Sequence, residues 1–169
     1  MTRRAIVIAL LGVLGAHAQA AQPLAQTAPL QARAKSVELD QKTGATRYRG
    51  DVQIALGNLN VKADYLEVIL REGQVSEVRA KGDPIVLRRE ADDVEPEIEV
   101  HAQRLEFSMA TQQIELFEDI SMRQGQDVLR AQTVRYHILT RRFEAKGGPG
   151  RNQRVLAVFH PREPLDIKP

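Results

Sequence analysis

Val52-Gln53-Ile54-Ala55-Leu56-Gly57-Asn58-Leu59-Asn60-Val61-Lys62 holds two apolar runs of period two, separated by a Gly-Asn pair. Strict alternation sends successive side chains to opposite faces, so each run reads as a strand with one apolar and one polar face. Gly57-Asn58 supplies the turn chemistry between them. The same alternation recurs outward in both directions. Val37 and Leu39 flank Glu38, and Leu66, Val68 and Leu70 alternate with Glu67 and Ile69. Leu105 and Phe107 flank Glu106, Ile114 and Leu116 flank Glu115, and Ile120 and Met122 flank Ser121. Val134, Tyr136 and Ile138 close the series.

Breaks between the runs carry turn residues: Lys42-Thr43-Gly44, Glu72-Gly73-Gln74, Lys81-Gly82-Asp83-Pro84, Arg123-Gln124-Gly125-Gln126 and Gly147-Gly148-Pro149-Gly150. Glu90 to Glu99 is an acidic, Pro-containing loop that leads into a strand near Ile98. No amphipathic helix stands out after the first 20 residues. The expected class is therefore all-β.

The runs repeat at a larger scale. Ala34 matches Ala102, Glu38 matches Glu106, Asp51 matches Asp119, Gly57 matches Gly125 and Ala63 matches Ala131, each pair 68 positions apart without a gap. Apolar positions keep the same offset, as in Val37 with Leu105 and Ile54 with Met122. A smaller signal lies inside it: an Ala followed three residues later by an aliphatic, at Ala34, Ala63, Ala102 and Ala131. Recurring short strands of this kind predict stacked rungs or a long jelly roll built from two related halves.

The first 20 residues read as a secretory signal. Arg3 and Arg4 precede an uncharged apolar run from Ala5 to Gly15, and Ala16-His17-Ala18 and Ala18-Gln19-Ala20 offer cleavage sites. The run is shorter than the ~20 residues a membrane-spanning helix needs. With no cysteine, the chain has neither a lipid-attachment thiol nor disulfides. The expected compartment is the periplasm, after cleavage of the signal. Residues 21–29, rich in Ala, Gln and Pro, form a flexible leader, residues 30–160 one domain, and residues 161–169 a tail. Removing the signal leaves 22 basic against 22 acidic residues, a balance that argues against nucleic acid as a partner.

Pro29-Leu30-Gln31-Ala32, Val37-Glu38-Leu39-Asp40, Tyr48-Arg49-Gly50-Asp51-Val52-Gln53-Ile54 and Leu59-Asn60-Val61-Lys62-Ala63-Asp64-Tyr65-Leu66 together resemble the OstA-like domain family. His101-Ala102-Gln103-Arg104-Leu105-Glu106-Phe107 and Val128-Leu129-Arg130-Ala131 repeat the theme. The resemblance covers roughly Pro29 to His160. It implies a half-open, twisted β jelly roll and no catalysis. It also implies binding of lipopolysaccharide and its passage along a bridge of such domains, driven by an ATPase of the inner membrane. The implied partners are an inner-membrane anchored OstA-like homologue at one end and the N-terminal domain of an outer-membrane translocon at the other. Lipid-facing positions of the family fall on Leu30, Ala32, Leu87, Phe107 and Met109. Two positions depart from the family pattern. Glu118 stands where a Gly is usual, as Gly50 does in the first half, so that turn is expected to differ. Ala32 is smaller than the usual aliphatic.

Alternation adds Leu39, Ile54, Leu105, Leu116 and Met122 to the candidate lipid-binding set. Candidate partner-edge positions are Leu30, Val37 and Leu39 at one end and Val155, Ala157 and Phe159, within Arg154 to Phe159, at the other. Exposed edges of this kind favour head-to-tail self-association. Arg130, Arg135, Arg141, Arg142, Lys146, Arg151 and Arg154 make the last third basic, which is read as solvated charge. His101, His137 and His160 lack metal-ligand spacing, so no metal or cofactor is expected. Two other readings stay open: an OstA-like structural adaptor that binds no lipid, and a β-helical carbohydrate-active enzyme with paired carboxylates on one rung.

Overall fold

The computed structural model describes residues 31–93, 96–150 and 153–160. The expected signal, leader and tail, with Leu30 and Arg151, lie outside the described residues. The described residues form ten strands: β1 (Gln31–Arg33), β2 (Ser36–Asp40), β3 (Ala45–Leu56), β4 (Leu59–Arg71), β5 (Gln74–Arg89), β6 (Ile98–Ser108), β7 (Gln113–Gln124), β8 (Asp127–His137), β9 (Arg142–Lys146) and β10 (Leu156–Val158). The long strands β3 to β8 make an antiparallel meander in which each pairs with the next. Both edges are split. β1 and β2 pair with the two halves of β3, and β10 and β9 pair with the two halves of β8. The sheet does not close. The all-β expectation holds, and β6 begins at Ile98 after the acidic loop.

Every pairing between long strands carries a shift of register near its middle. The shifts fall between Arg49 and Val52, Lys62 and Tyr65, Lys81 and Ile85, His101 and Arg104, and Phe117 and Ile120. They form one line of bulges across the sheet. Bulges bend strands and increase local twist. Among the described residues only the sheet itself is available to cover its apolar face. The line is therefore a fold axis, and the two arms close on each other around one core. Small side chains sit along the axis: Ala63, Ala80 and Ala102 are buried and Ala131 is partly buried.

The bulges also explain the Ala-x-x-aliphatic signal. Within a regular strand, residues three apart face opposite ways. At Ala63/Leu66, Ala102/Leu105 and Ala131/Val134 the extra residue shifts the phase, and both members face inward. β3 and β7 solve the problem differently. Gly50 and Asp51 in β3, and Glu118 and Asp119 in β7, take left-handed backbone conformations and absorb two residues, which preserves parity.

The bulge in β5 corrects one expectation. Lys81-Gly82-Asp83-Pro84 is not a break between strands. β5 runs through it from Gln74 to Arg89.

The repeat seen in the sequence is a repeat of the backbone. Left-handed residues recur at the same offset: Gly44 (φ 71°) with Gln112 (51°), Gly50 (75°) with Glu118 (68°), Asp51 (47°) with Asp119 (48°), Gly57 (59°) with Gly125 (58°) and Gly73 (74°) with Arg141 (53°). Leu70 N–H donates to Gly44 O and Ile138 N–H to Gln112 O, both at 2.9 Å. Strand register repeats too. Val37 opposes Tyr48 as Leu105 opposes Leu116, and Ala32 opposes Ile54 as Val100 opposes Met122.

Glu118 therefore does not change the turn. It takes the same conformation as Gly50 and bears the steric cost of a Cβ there, about 1–2 kcal/mol. Glu118→Gly is expected to stabilise the protein by about 1 kcal/mol, read as a higher urea midpoint at unchanged slope. Gly50→Ala is expected to do the reverse, since its Cβ meets Lys35 Cδ at 2.9 Å in addition to the backbone cost.

Candidate functional site

Directly opposed residues of an antiparallel pair share a face. Register therefore shows which side chains line up across the strands. One inward row runs Val37, Tyr48, Leu66, Ala80, Leu105, Leu116, Val134, Ala145 from β2 to β9. A second runs beside it: Leu39, Thr46, Val68, Val78, Phe107, Ile114, Tyr136, Phe143. On the other arm a third runs Ala32, Ile54, Val61, Leu87, Val100, Met122, Leu129, Ala157 from β1 to β10. Together they line an apolar track that crosses the sheet from edge to edge, perpendicular to the strands. Thr46 and the hydroxyls of Tyr48 and Tyr136 are its polar groups. Burial pushes the Tyr136 hydroxyl above its ordinary pKa of 10.0, so it stays neutral.

Of the expected lipid-binding residues, Ala32, Leu39, Ile54, Leu87, Leu105, Phe107, Leu116 and Met122 fall on these rows, and Met109 lies just beyond the end of β6. Leu87, Leu105, Phe107, Leu116 and Met122 are buried in the common core, and Ile54 and Met109 pack against it. Ala32 and Leu39 lie on the outermost strands and are exposed. Leu30 lies outside the described residues. Register adds lining residues missing from the expected set, among them Val78, Val100 and Leu129. The alternation around Val100 and Leu129 is short, and Val78 lies between charged neighbours in a stretch interrupted by the β5 bulge.

At the two edges the rows emerge into solvent. Val37 and Leu39 are 59% and 63% exposed, whereas their repeat counterparts Leu105 and Phe107 are 8% and 3% exposed. The residue types and phase are alike. What differs is a neighbouring strand, since β6 lies against β5 and, among the described residues, no strand lies beyond β2. At the other edge Val155, Leu156, Ala157, Val158 and Phe159 are all exposed. The expected edge near Arg154 to Phe159 is present as β10, but it is half of that edge. β9, which the sequence reading missed, forms the other half.

The outer face carries charge. Glu38, Arg47, Glu67, Arg79, Glu106, Glu115, Arg135 and Glu144 stand opposite one another on successive strands from β2 to β9. Glu67 is the buried centre of this row and accepts from Arg47 Nε at 2.8 Å and Arg79 Nη1 at 3.3 Å. Arg49 and Arg47 hold the Glu38 carboxyl below its ordinary value of 4.5, the Arg49 hydrogen bond being the larger cause. Backbone and side-chain hydrogen bonds from Thr43 and Lys42 likewise hold Asp40 below 3.8.

The row contains one directly opposed carboxylate pair, Glu106 with Glu115. Each is neutralised by its own arginine, Arg104 and Arg135, on an open surface. The antiparallel register throughout excludes the parallel coils of a β-helix. His101 pairs with Glu99 at 2.8 Å and His160 with Asp127 at 3.4 Å. Among the described residues no three metal-ligating side chains gather in one place.

An open, folded-over antiparallel sheet with an apolar track inside and ion pairs outside defines a half-open β jelly roll. Residues 31–142 match the family described as LptA/(LptD N-terminal domain) LPS transport protein. The chain belongs to that family, and it is a transport component, not an enzyme. Among solved structures it is similar to LptH of Pseudomonas aeruginosa, described as the LptA-homologous periplasmic component of the lipopolysaccharide transport device. That likeness has a TM-score of 0.66 at 18% identity and covers 80% of this chain and 98% of the other. No curated protein matches the chain.

Glu67→Ala is expected to destabilise the protein by about 1–3 kcal/mol, because it leaves Arg47 and Arg79 facing each other over a buried site. Glu38→Ala, at the exposed end, is expected to leave stability nearly unchanged. Both are read from urea midpoints. The depressed carboxyls of Glu38 and Asp40 contribute stability that is present above their ordinary values and lost as pH falls through their lower folded-state values. The urea midpoint is therefore expected to decline as pH drops below ~4.5, and less steeply in Glu38→Gln.

Proposed function

We propose that this chain works in the periplasm, after loss of its signal peptide, and holds lipopolysaccharide by its acyl chains. The observation that carries this reading is the set of three apolar rows that run from one sheet edge to the other and emerge at both. An acyl chain laid along them exchanges water for Leu, Val, Ile and Phe side chains, at about 0.8 kcal/mol per buried methylene. The charged sugars stay outside, at the opening between the two arms. The middle of the track is filled by side chains in this state. Entry of acyl chains requires the arms to part, and an unclosed sheet bent at a bulge line permits that motion without breaking strand pairs.

Passage, as distinct from storage, needs a shallow energy profile. The track meets it by repetition. Strands are spaced about 4.8 Å apart, and each adds a similar pair of apolar side chains. The second half then presents the rows of the first again. No position on the track is much better than the next. The exposed residues at the two edges suit strand addition, at one edge from an inner-membrane anchored OstA-like homologue and at the other from the N-terminal domain of an outer-membrane translocon. A second copy of this chain fits either edge head to tail.

The test is photo-crosslinking from position 107 inside the track and from position 106 on the outer face. Purified lipopolysaccharide is the ligand, with intact and deacylated material as competitors. The expected result is an adduct from position 107 alone, competed only by acylated lipid. An adduct competed equally by deacylated sugar would refute acyl-chain binding. No adduct at all would leave the chain a structural adaptor.

A further inference from the structure

The two outer faces of the folded sheet differ in how they handle charge. On the arm that carries β2 and β9, Arg47, Arg49, Arg79, Arg104, Arg135 and Arg142 each pair with a glutamate of the same or a neighbouring strand. On the arm that carries β1 and β10, cations stand without such partners. Arg33, Lys62, Arg123 and Arg130 are exposed and have no ion pair among the described residues. Glu99 is the one carboxylate in the two outward rows of that arm, and it is taken by His101.

The free cations are ordered. Strand register places Arg33, Lys62, His101 and Arg130 on every second strand from β1 to β8, with Gln53, Val86 and Ser121 on the strands between. Each adjoins a member of the third inward row, so each points outward. The internal repeat sets the period. Arg33 and His101, Gln53 and Ser121, and Lys62 and Arg130 are each 68 positions apart. With strands about 4.8 Å apart, the basic positions recur about every 9.6 Å along a line of about 29 Å.

Resting on the periplasmic reading above, we propose that this line docks the cell-wall glycan, a β-linked sugar strand with a carboxyl-bearing peptide on every second ring. A pyranose ring advances such a strand by roughly one strand spacing, ~4.8 Å. Acid on alternate rings then meets a basic position on alternate strands. Gln53 and Ser121 offer hydrogen bonds to the sugars between, and Val86 offers an apolar contact for an acetyl group. A lipid surface fits less well, because it takes a basic face with large apolar anchors, and here most free cations fall on one line. An acidic protein surface has no reason to repeat at a fixed interval. Exposed charge pairs are individually weak and screened by salt. Docking of this kind is therefore reversible, and it leaves the apolar track inside the sheet open to its own ligand.

Purified sacculi are the probe, sedimented with the mature protein at low salt. Wild-type protein is expected in the pellet, and in the supernatant at about 1 M salt, where the screening length falls to ~3 Å. Arg33→Gln, Lys62→Gln and Arg130→Gln together are expected to weaken binding about tenfold, the effect of three exposed charge pairs. Lys42→Gln, Lys81→Gln and Lys146→Gln together remove the same charge from exposed lysines on the other arm. That variant is expected to stay within about twofold of wild type. Equal loss in the two variants overturns the docking line and leaves net charge as the cause. Binding to phosphatidylglycerol vesicles as tight as to sacculi, and lost in the first variant, overturns the glycan in favour of a lipid surface. Single disaccharide-peptide units released by muramidase are expected to compete at least roughly tenfold more weakly than long strands. Equal competition overturns the reading of the spacing. Crosslinking to lipopolysaccharide from position 107 is expected to persist in both variants. If wild-type protein forms that adduct and does not pellet, the docking line falls and acyl-chain binding stands. If it pellets and forms no adduct, acyl-chain binding falls alone.

Discussion

The line of bulges is the constraint on which the rest of the molecule depends. A meander of six long strands has one apolar face and, among the described residues, no helix to cover it. Bending every strand at the same level lets the sheet cover itself. The bend works only if the inward phase survives it. β4, β6 and β8 change phase by one residue at the bulge and β5 by the three residues Gly82 to Pro84, while β3 and β7 use a left-handed pair to keep theirs. Alanines along the axis leave room for the arms to approach. Without that coordination, one arm would face its polar side to the core.

Given the bend, the two faces take different tasks. The inner face is uniform along the direction that crosses the strands, and its rows hold almost nothing polar. The outer face, exposed to water on both arms, is held in register by charges that alternate across successive strands. Most of these pairs are exposed and individually weak. Glu67 is the exception, because its burial makes Arg47 and Arg79 obligatory partners. Register matters more here than in most sheets. A slip of one residue would turn a whole inward row to the solvent.

Much of this was legible in the residues themselves. Alternation at Val52-Ile54 and Leu59-Val61 marked strands and their inward face, and the offset between Ala34 and Ala102 marked the repeat. The Ala-x-x-aliphatic spacing was visible, but its meaning as a phase change needed the paired strands. Lys81-Gly82-Asp83-Pro84 read as a turn because Gly, Asp and Pro favour turns and bulges alike, and local composition does not separate the two. Glu118 looked like a change of turn because a glutamate in a left-handed conformation is costly, yet the surrounding sheet imposes it. Of the candidate site, Phe107, Leu116 and Met122 were identifiable as inward residues from alternation, and Leu87 only through the family resemblance. The continuity of the rows was not, since it depends on register between strands distant in sequence. Nor was the exposure of Val37 and Leu39, which depends on there being no strand beyond β2 among the described residues.

The split edges and the internal repeat also make the chain a ruler. Each half contributes four strand positions along the path from edge to edge, β1/β2 through β5 and β6 through β9/β10. At about 4.8 Å per strand, a half advances about 19 Å. In the head-to-tail assembly proposed above, distance would be counted in whole chains of eight strand positions, about 38 Å each, and a gap would be bridged by the number of chains stacked, not by stretching any of them.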